Sequence, residues 1–431
     1  MILDKAIERR AAEGRPIGIG LVGAGYIARG IAAHALRMPG VELVAVSNRT
    51  LARATALFEE LGGGTPVPVE TPAELDAAAA GATPAVTDDP AVLSGAESVE
   101  VVIEATGEVE FGARTALRAI ADGKHVVLLN VALDATVGPL LAAKAAAAGV
   151  VITNTDGDEP GVAMNLIRYL RTIGLEPVLA GNIKGFLDRR RTPETQRAFA
   201  ESVGQDAQKV ASYADGTKLS LELAVLANAT GFGVARRGMN GYRCAHVDDV
   251  PALYEKHERI DGMVDFCLGA EPGSGVFAVC RSDDPTARRY LEHFKLGSGP
   301  LYLFHVPWHL PQAEAPLTAA RAVLFGDATI APLGGPRCEV LAVAKRDLRA
   351  GEVLDGIGGF ACYGTIDNVE VVRAENLLPI GVSGGCTMRT DVPADRALRY
   401  DDVDLPPARL IDRLRAEQEE LFPGPLAAAL D

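Results

Sequence analysis

Cysteine is scarce in this chain and never gathers. Cys244, Cys267, Cys280, Cys338, Cys362 and Cys386 are scattered over 431 positions without one Cys-x-x-Cys. That spacing excludes a structural zinc motif and points to a reduced compartment. Positive charge is short as well, with a formal net charge of −15. General nucleic-acid binding needs a basic face and is excluded, and an anionic substrate must meet a local basic cluster. No apolar run has the length of a membrane span. The opening Met1-Ile-Leu-Asp-Lys-Ala-Ile-Glu-Arg-Arg10 reads as a charged amphipathic helix. The expectation is a cytoplasmic protein with no membrane partner.

What is present is length and punctuation. A chain of 431 residues exceeds one ordinary core, so two or three domains are expected, and 46 Gly with 26 Pro suits an α/β enzyme with many turns. The most informative segment is Ile17-Gly-Ile-Gly-Leu-Val-Gly-Ala-Gly-Tyr-Ile-Ala-Arg-Gly-Ile31. It reads as a buried strand, a glycine turn and the start of a helix. Gly23 permits the turn, Gly25 lets backbone approach a pyrophosphate, and Ala28 lets the helix pack on the strand. Tyr26 and Ile27 open the helix, whose free N–H groups receive the phosphates. One helix length later comes a second apolar run, Val41-Glu-Leu-Val-Ala-Val-Ser47. This is the context a Rossmann dinucleotide site requires.

The end of that second run predicts which dinucleotide binds. A site for NAD usually carries a carboxylate there for the ribose hydroxyls. Here the residues are Ser47-Asn48-Arg49-Thr50, with Arg53 one turn further on. Hydroxyls and a guanidinium suit a 2′-phosphate, so NADP(H) is the expected cofactor. The plainer alternative makes Arg49 and Arg53 a solvated helix start.

Residues 1–155 alternate strand and helix signals in the doubly wound manner, giving a parallel sheet with helices on both faces. Strands are expected at Val99–Gly107, Gly123–Asn130 and Gly149–Asn154, a helix at Pro139–Ala148, and a decorated crossover between Gly62 and Pro90. Thr106, Gly107 and Asn130 fall at strand C-termini, the ligand-binding edge of such sheets. Residues 156–335 mix elements as an α+β substrate domain, with helices at Val162–Thr172, Asp215–Asn228 and Ala315–Gly326 and a strand at Pro177–Asn182. Residues 336–410 read as a small β-rich module and 411–431 as a charged C-terminal helix. Within the module, Arg346-Asp-Leu-Arg-Ala-Gly351 is echoed by Thr390-Asp-Val-Pro-Ala-Asp395.

Several motifs taken together resemble the homoserine-dehydrogenase-like oxidoreductases that carry a C-terminal SAF domain. They are the nucleotide fingerprint, Ala105-Thr-Gly107, Leu129-Asn-Val131, Gly157-Asp-Glu-Pro160, Asp215-Gly-Thr-Lys218, Ala227-Asn-Ala-Thr-Gly231 and Gly299-Pro-Leu-Tyr-Leu-Phe-His-Val-Pro-Trp-His309. The SAF likeness lies in Val343-Ala-Lys-Arg-Asp-Leu-Arg-Ala-Gly-Glu352 and Ile380-Gly-Val-Ser-Gly-Gly-Cys386. The resemblance spans nearly the whole chain. It implies a nicotinamide-dependent oxidoreductase, similar to the reductoisomerase-like enzymes of deoxyxylulose 5-phosphate and to oxidoisomerases of branched sugar acids such as apionate. Homoserine dehydrogenases proper carry Asn-Lys where this chain has Asn130-Val131. The kinship is therefore one of fold, and homoserine oxidation itself is in doubt.

Hydride transfer at a carbinol needs a proton donor or acceptor and a group that polarises the oxygen. Lys184 ends a strand before a glycine, and Lys218 begins a helix with Glu222 one turn on. A partly desolvated lysine is expected to have a lowered pKa and to shuttle the proton; the plainer alternative for Lys218 and Glu222 is an exposed helix pair. Asp158 and Glu159 either head a helix or bind substrate hydroxyls, with a shared divalent cation as a further candidate. His305 or His309 orients substrate, or is a core histidine. Arg189-Arg-Arg191 with Arg197 is a candidate phosphate funnel, against the commoner solvated face. Two functions compete. One is an NADP(H)-dependent enzyme, a homo-oligomer acting on a small polyhydroxylated carbonyl or carbinol with or without isomerisation. The other is a non-catalytic NADP-binding sensor.

Overall fold

The computed structural model describes residues 3–255 and 260–424. Met1 and Ile2 of the amphipathic start and residues 425–431 of the C-terminal segment lie outside them. The chain forms two compact units. The first comprises Met1–Asp158 and Leu310–Ala331, the second Glu159–His309 and Pro332–Asp431.

The first unit is built on seven strands. They are β1 (Ile17–Val22), β2 (Val41–Ser47), β3 (Val67–Pro68), β4 (Ala85–Thr87), β5 (Val101–Glu104), β6 (His125–Leu128) and β7 (Ile152–Asn154). The spatial order is β3-β4-β2-β1-β5-β6-β7, and every pairing is parallel. Alternation along β1 explains the layering. Ile19 and Leu21 point into a core shared with the helices Tyr26–Ala35, Leu51–Leu61 and Pro311–Phe325. On the other face Gly20 leaves room for the helix Pro90–Gly95, where a Cβ would stand 3.2 Å from Leu93. The decorated crossover consists of β3, β4 and the helix Pro72–Ala80 between them. The chain reverses its direction of build at β1, so the crevice opens at the C-terminal ends of β1, β2 and β5.

Two helices differ from expectation. The helix expected at Pro139 begins at Val131, capped by Asn130, and runs to Ala147. Pro139 marks a kink instead, where Val137 leaves helical geometry at φ −140°, ψ 15° and so relieves the proline clash. The helix expected at Ala315 begins at Pro311, with Pro316 tolerated within its first turns. It packs on the first sheet although most of the second unit precedes it in sequence.

The second unit holds β8 (Glu176–Lys184), β9 (Tyr242–Arg243), β10 (Met263–Leu268), β11 (Val276–Arg281) and β12 (Leu301–Val306), ordered β12-β11-β8-β10-β9. The sheet is mixed, with β8 parallel to β10 and antiparallel to β11. The polar stretch after Lys184 folds as the helices Pro193–Ser202 and Ala207–Ala214. The helix Thr217–Thr230 is buried along its length except at Lys218, with the polar side chains of Thr217, Ser220, Glu222, Asn228 and Thr230 buried along with its apolar ones. It packs on the helix Glu159–Thr172, on β8 and β10, and on the antiparallel pair β13 (Cys338–Ala344) and β14 (Cys362–Asn368).

The internal echo is a reciprocal contact. Leu348 and Val392 exchange backbone hydrogen bonds at 2.8 and 3.0 Å. Asp347 accepts from the Ala394 N–H at 3.0 Å while Asp391 accepts from the Ala350 N–H at 2.9 Å. The two similar turns pair about a local two-fold axis. No helix among the described residues is long and apolar enough to cross a membrane.

Candidate active site

In the first unit the nucleotide turn has the geometry its glycines allow. Gly23 takes φ +113° and donates its N–H to the Ser47 carbonyl at 2.8 Å, so β1 and β2 end together. Gly25 is the N-cap of the helix Tyr26–Ala35, and no side chain caps that helix. A Cβ at Gly25 would meet no protein atom within 4 Å. The first N–H groups of the helix thus have no side-chain cap and the turn before them is open at Gly25, which is what an anion site requires. Tyr26 is exposed, Ile27 half-buried, and Ala28 fully buried against the sheet.

At the end of β2, Ser47 is buried and the Asn48 amide bonds back to the Thr50 carbonyl at 2.8 Å, which stiffens the loop. Arg49 and Arg53 are exposed and pair with no carboxylate among the described residues. At the end of β5, the Thr106 N–H donates to buried Glu104 at 2.9 Å, and Gly107 turns at φ +76°. Asn130 is committed to structure: its Oδ1 accepts from the Leu133 N–H at 3.1 Å and its Nδ2 donates to the Glu108 carbonyl at 3.0 Å.

One turn beyond Asn130 lies Asp134, a buried carboxyl that accepts from the Asn154 amide. Burial, only partly offset by that bond, pushes its pKa up to about 7. The folded state then keeps a proton that the unfolded chain releases near pH 4, so stability falls as pH rises from about 4 to about 7 and levels off above. Asp134→Asn removes the titration. Its stability advantage over wild type should be larger at pH 8 than at pH 5 by about 2–3 kcal/mol, read from denaturant melts. An advantage that does not change with pH would mean that Asp134 is ionised in the fold.

In the second unit the candidate catalytic residues converge. Glu159 opens the helix Glu159–Thr172, Lys184 ends β8, and Lys218 and Glu222 lie one turn apart on the helix Thr217–Thr230. The Lys184 ammonium stands 2.9 Å from Glu159 and 3.5 Å from Glu222. The Lys218 ammonium stands 3.3 Å from Glu159 and contacts Glu222 directly. Two ammonium and two carboxylate groups thus alternate around one ring and cancel. The carboxylates are buried, and the lysine side chains keep 22% and 24% exposure, so the ring opens on its cationic side. Lys218 also lies over the Tyr213 ring, 5.7 Å from its centre. Asp158, immediately before Glu159, is buried.

This geometry corrects two expectations. Burial pulls the Lys184 pKa down, but Glu159 and Glu222 outweigh it, and the net shift is upward. Lys184 is a fixed ammonium rather than a lysine poised to release its proton. Lys218 and Glu222 are not an exposed helix pair. The arginines read as a candidate phosphate funnel are largely engaged within the protein: Arg190 contacts the Lys345 carbonyl and pairs with Asp395 at 2.5 Å. Arg189 lies over Tyr363 and Arg191 over Phe186 while pairing with Asp188. Arg197 alone of the four stays exposed without such a contact.

His305 takes no part in the ring. It is exposed on the edge strand β12, opposite Phe277. His309 stands closer, with Nε2 3.6 Å from Glu159 and Nδ1 3.4 Å from the Ser274 hydroxyl. A further residue, Asn182, was not singled out in the sequence. It is fully buried on β8 and donates to Glu222 at 2.8 Å. An amide inside an otherwise apolar strand was the signal for it.

Comparison with known proteins gives two family matches. Residues 18–154 match the homoserine dehydrogenase NAD-binding domain, and residues 157–315 match the catalytic domain of oxidoreductase DRL. No curated protein matches the chain. Among solved structures, a homoserine dehydrogenase from Thiobacillus denitrificans is similar at 17% identity and a TM-score of 0.40, over 78% of this chain and 83% of that one. A scyllo-inositol dehydrogenase from Lactobacillus casei, solved with NAD(H) and scyllo-inositol, is similar at 15% identity and a TM-score of 0.34, over 62% and 73%. From the family matches, the chain is a dinucleotide-binding oxidoreductase of dehydrogenase type with a nicotinamide cofactor.

Proposed function

We propose that this oxidoreductase uses NADP(H) and acts on a small polyhydroxylated carbonyl compound or the matching carbinol. Substrate is held at the lysine–glutamate ring, and residues 336–410 form a SAF-like module. The observation that carries the reading is the ring itself. Two cations and two anions, held in a mostly buried and neutral cluster, offer both donors and acceptors to a substrate rich in hydroxyls.

A nicotinamide, when bound, supplies or accepts the hydride at carbon. The protein's own task is then at oxygen. Negative charge developing on the carbonyl oxygen is met by the ammonium groups of Lys184 and Lys218. The raised pKa of Lys184 keeps it a charged hydrogen-bond donor at neutral pH, so it serves carbonyl reduction by holding the developing oxyanion. In the oxidative direction a ring carboxylate, Glu159 or Glu222, is the better proton acceptor. A divalent cation fits the ring poorly, because both carboxylates already face ammonium groups. No step is assigned to a metal.

Arg49 supports the choice of NADP(H), being a guanidinium that pairs with no carboxylate among the described residues, where a ribose-binding carboxylate would otherwise stand. Wild type should bind NADPH at least about tenfold more tightly than NADH. Arg49→Ala should lose about 1.5–3 kcal/mol of NADPH affinity and little of NADH. Equal affinities in wild type would sink the assignment. A panel of hydroxycarbonyl compounds followed by NADPH absorbance tests the activity, and tight NADPH binding without turnover of any of them would favour the sensor.

A further inference from the structure

The helix that presents Lys218 and Glu222 owes its position to residues far along the chain. Its C-terminal end is held through Asn228, whose Oδ1 accepts from the backbone N–H groups of Arg337 and Cys338 at 2.7 and 3.0 Å. Its first turn is held more elaborately. Thr217 Oγ1 accepts from the Gly364 N–H at 2.7 Å, and Asp215 Oδ1 accepts from the Thr217 N–H at 2.8 Å. The other Asp215 oxygen pairs with the Lys345 ammonium at 2.8 Å, with side-chain exposures of 0% and 3%. Lys345 also donates to the Arg191 and Gly359 carbonyls at 2.6 and 2.7 Å.

We propose that Lys345 and Asp215 are positioning residues for Lys218, which makes the β-rich C-terminal part a working piece of the active site. The argument is geometric. Lys218 is the one residue of its helix that is not buried, and it stands one residue after Thr217, the residue Asp215 caps. An ion pair this deeply buried, whose ammonium also donates to two backbone carbonyls, is held from three sides, so it fixes the turn from which Lys218 departs. Without it the first turn loosens, because Asp215 loses its anchor and the turn is then tied to β14 through the Thr217 and Ser220 bonds to Gly364. The inference rests on the reading of Lys218 as a substrate-side residue.

The test reads Lys218 directly. Native protein is acetylated briefly with an N-hydroxysuccinimide ester, and the labelling rate of Lys218 is measured by peptide mass spectrometry. Lys345→Met and Asp215→Asn should each raise that rate at least about fivefold, as a freed first turn uncovers the amine. Asp215→Asn keeps an acceptor for Thr217 and serves if Lys345→Met does not fold. Arg415→Met is the matched control. The Arg415–Glu339 pair is equally buried, but it ties β13 to the helix Leu410–Leu421 rather than to the Lys218 turn. It should lower thermal stability and leave the Lys218 rate at the wild-type value. Unchanged Lys218 labelling in both first variants, or an equal rise in Arg415→Met, overturns the proposal. Where turnover is measured, kcat should fall about tenfold with cofactor KM unchanged, as for a displaced catalytic group. Labelling needs no substrate, so wild type without turnover would count against the oxidoreductase reading alone.

Discussion

Lys184→Met and Lys218→Met should each lower kcat at least about a hundredfold, with cofactor affinity scarcely moved. Neither lysine belongs to the nucleotide turns, which lie in the first unit, whereas both ammonium groups face the same two buried carboxylates. Methionine keeps the apolar stem and deletes the charge. It leaves two carboxylates sharing one cation, so a loss of stability accompanies the loss of turnover. The two effects separate by measuring kcat well below the melting temperature. Lys184 is the stronger candidate for holding the developing oxyanion, since its carboxylate neighbours hold it charged. Its share of a reductive rate should accordingly persist through the neutral and mildly alkaline range. The same pairing contributes stability that is complete below the unfolded lysine value of about 10.4 and is lost as pH climbs through the higher folded one. If one variant is inactive and the other merely binds substrate weakly, the first carries the proton and the second holds the substrate. Near wild-type turnover in both would remove the ring from the mechanism and turn attention to Asp158.

How much of this was legible in the sequence depends on distance along the chain. The turn from β1 into the helix Tyr26–Ala35 is local: strand, glycines and small residue are adjacent, and each acts on its own backbone. Five strands of the first sheet were likewise visible as apolar runs, trimmed at their ends in the structure, whereas β3 and β4 lay inside the stretch read only as a decorated crossover. Pro139 misled because proline is at home at a helix start, and only the path of the preceding turn decides between a start and a kink. The ring was half legible. Each of Glu159, Lys184, Lys218 and Glu222 stands at an element terminus or within a helix turn that pattern reading can place. That they share one cluster depends on sheet register and helix packing, which no local spacing encodes. The pKa of Lys184 was unreadable for the same reason, because its sign follows from partners remote in sequence. His305 and His309 show a smaller version: strand alternation sends His305 to solvent, and the chain must leave β12 before His309 can reach Glu159. The Asp215–Lys345 pair lay in two motifs already noted, with nothing in either to join them.

Gly25→Val should abolish cofactor binding while the protein stays folded. The position separates ligand contact from backbone need unusually well. Gly23 would be a poor probe, because its φ of +113° and the Ala105 carbonyl 3.3 Å from its would-be Cβ make any side chain there a folding problem. Gly25 has φ −83° and ψ −171°, extended backbone that a branched residue adopts, and its Cβ would point into space no protein atom occupies within 4 Å. The structural cost is the exchange of a tolerated N-cap residue for a poor one, about 1 kcal/mol. The cost to a dinucleotide is larger, because the two valine methyl groups fill the volume through which the helix N–H groups reach a pyrophosphate. A loss of at least about a hundredfold in NADPH affinity corresponds to about 2.7 kcal/mol. Calorimetric titration beside a thermal melt checks both halves. A variant that melts within a few degrees of wild type and no longer binds assigns the turn to the cofactor. A variant that melts normally and binds as wild type does would reduce the fingerprint to a tight turn, and the nucleotide would have to be sought elsewhere in the first unit.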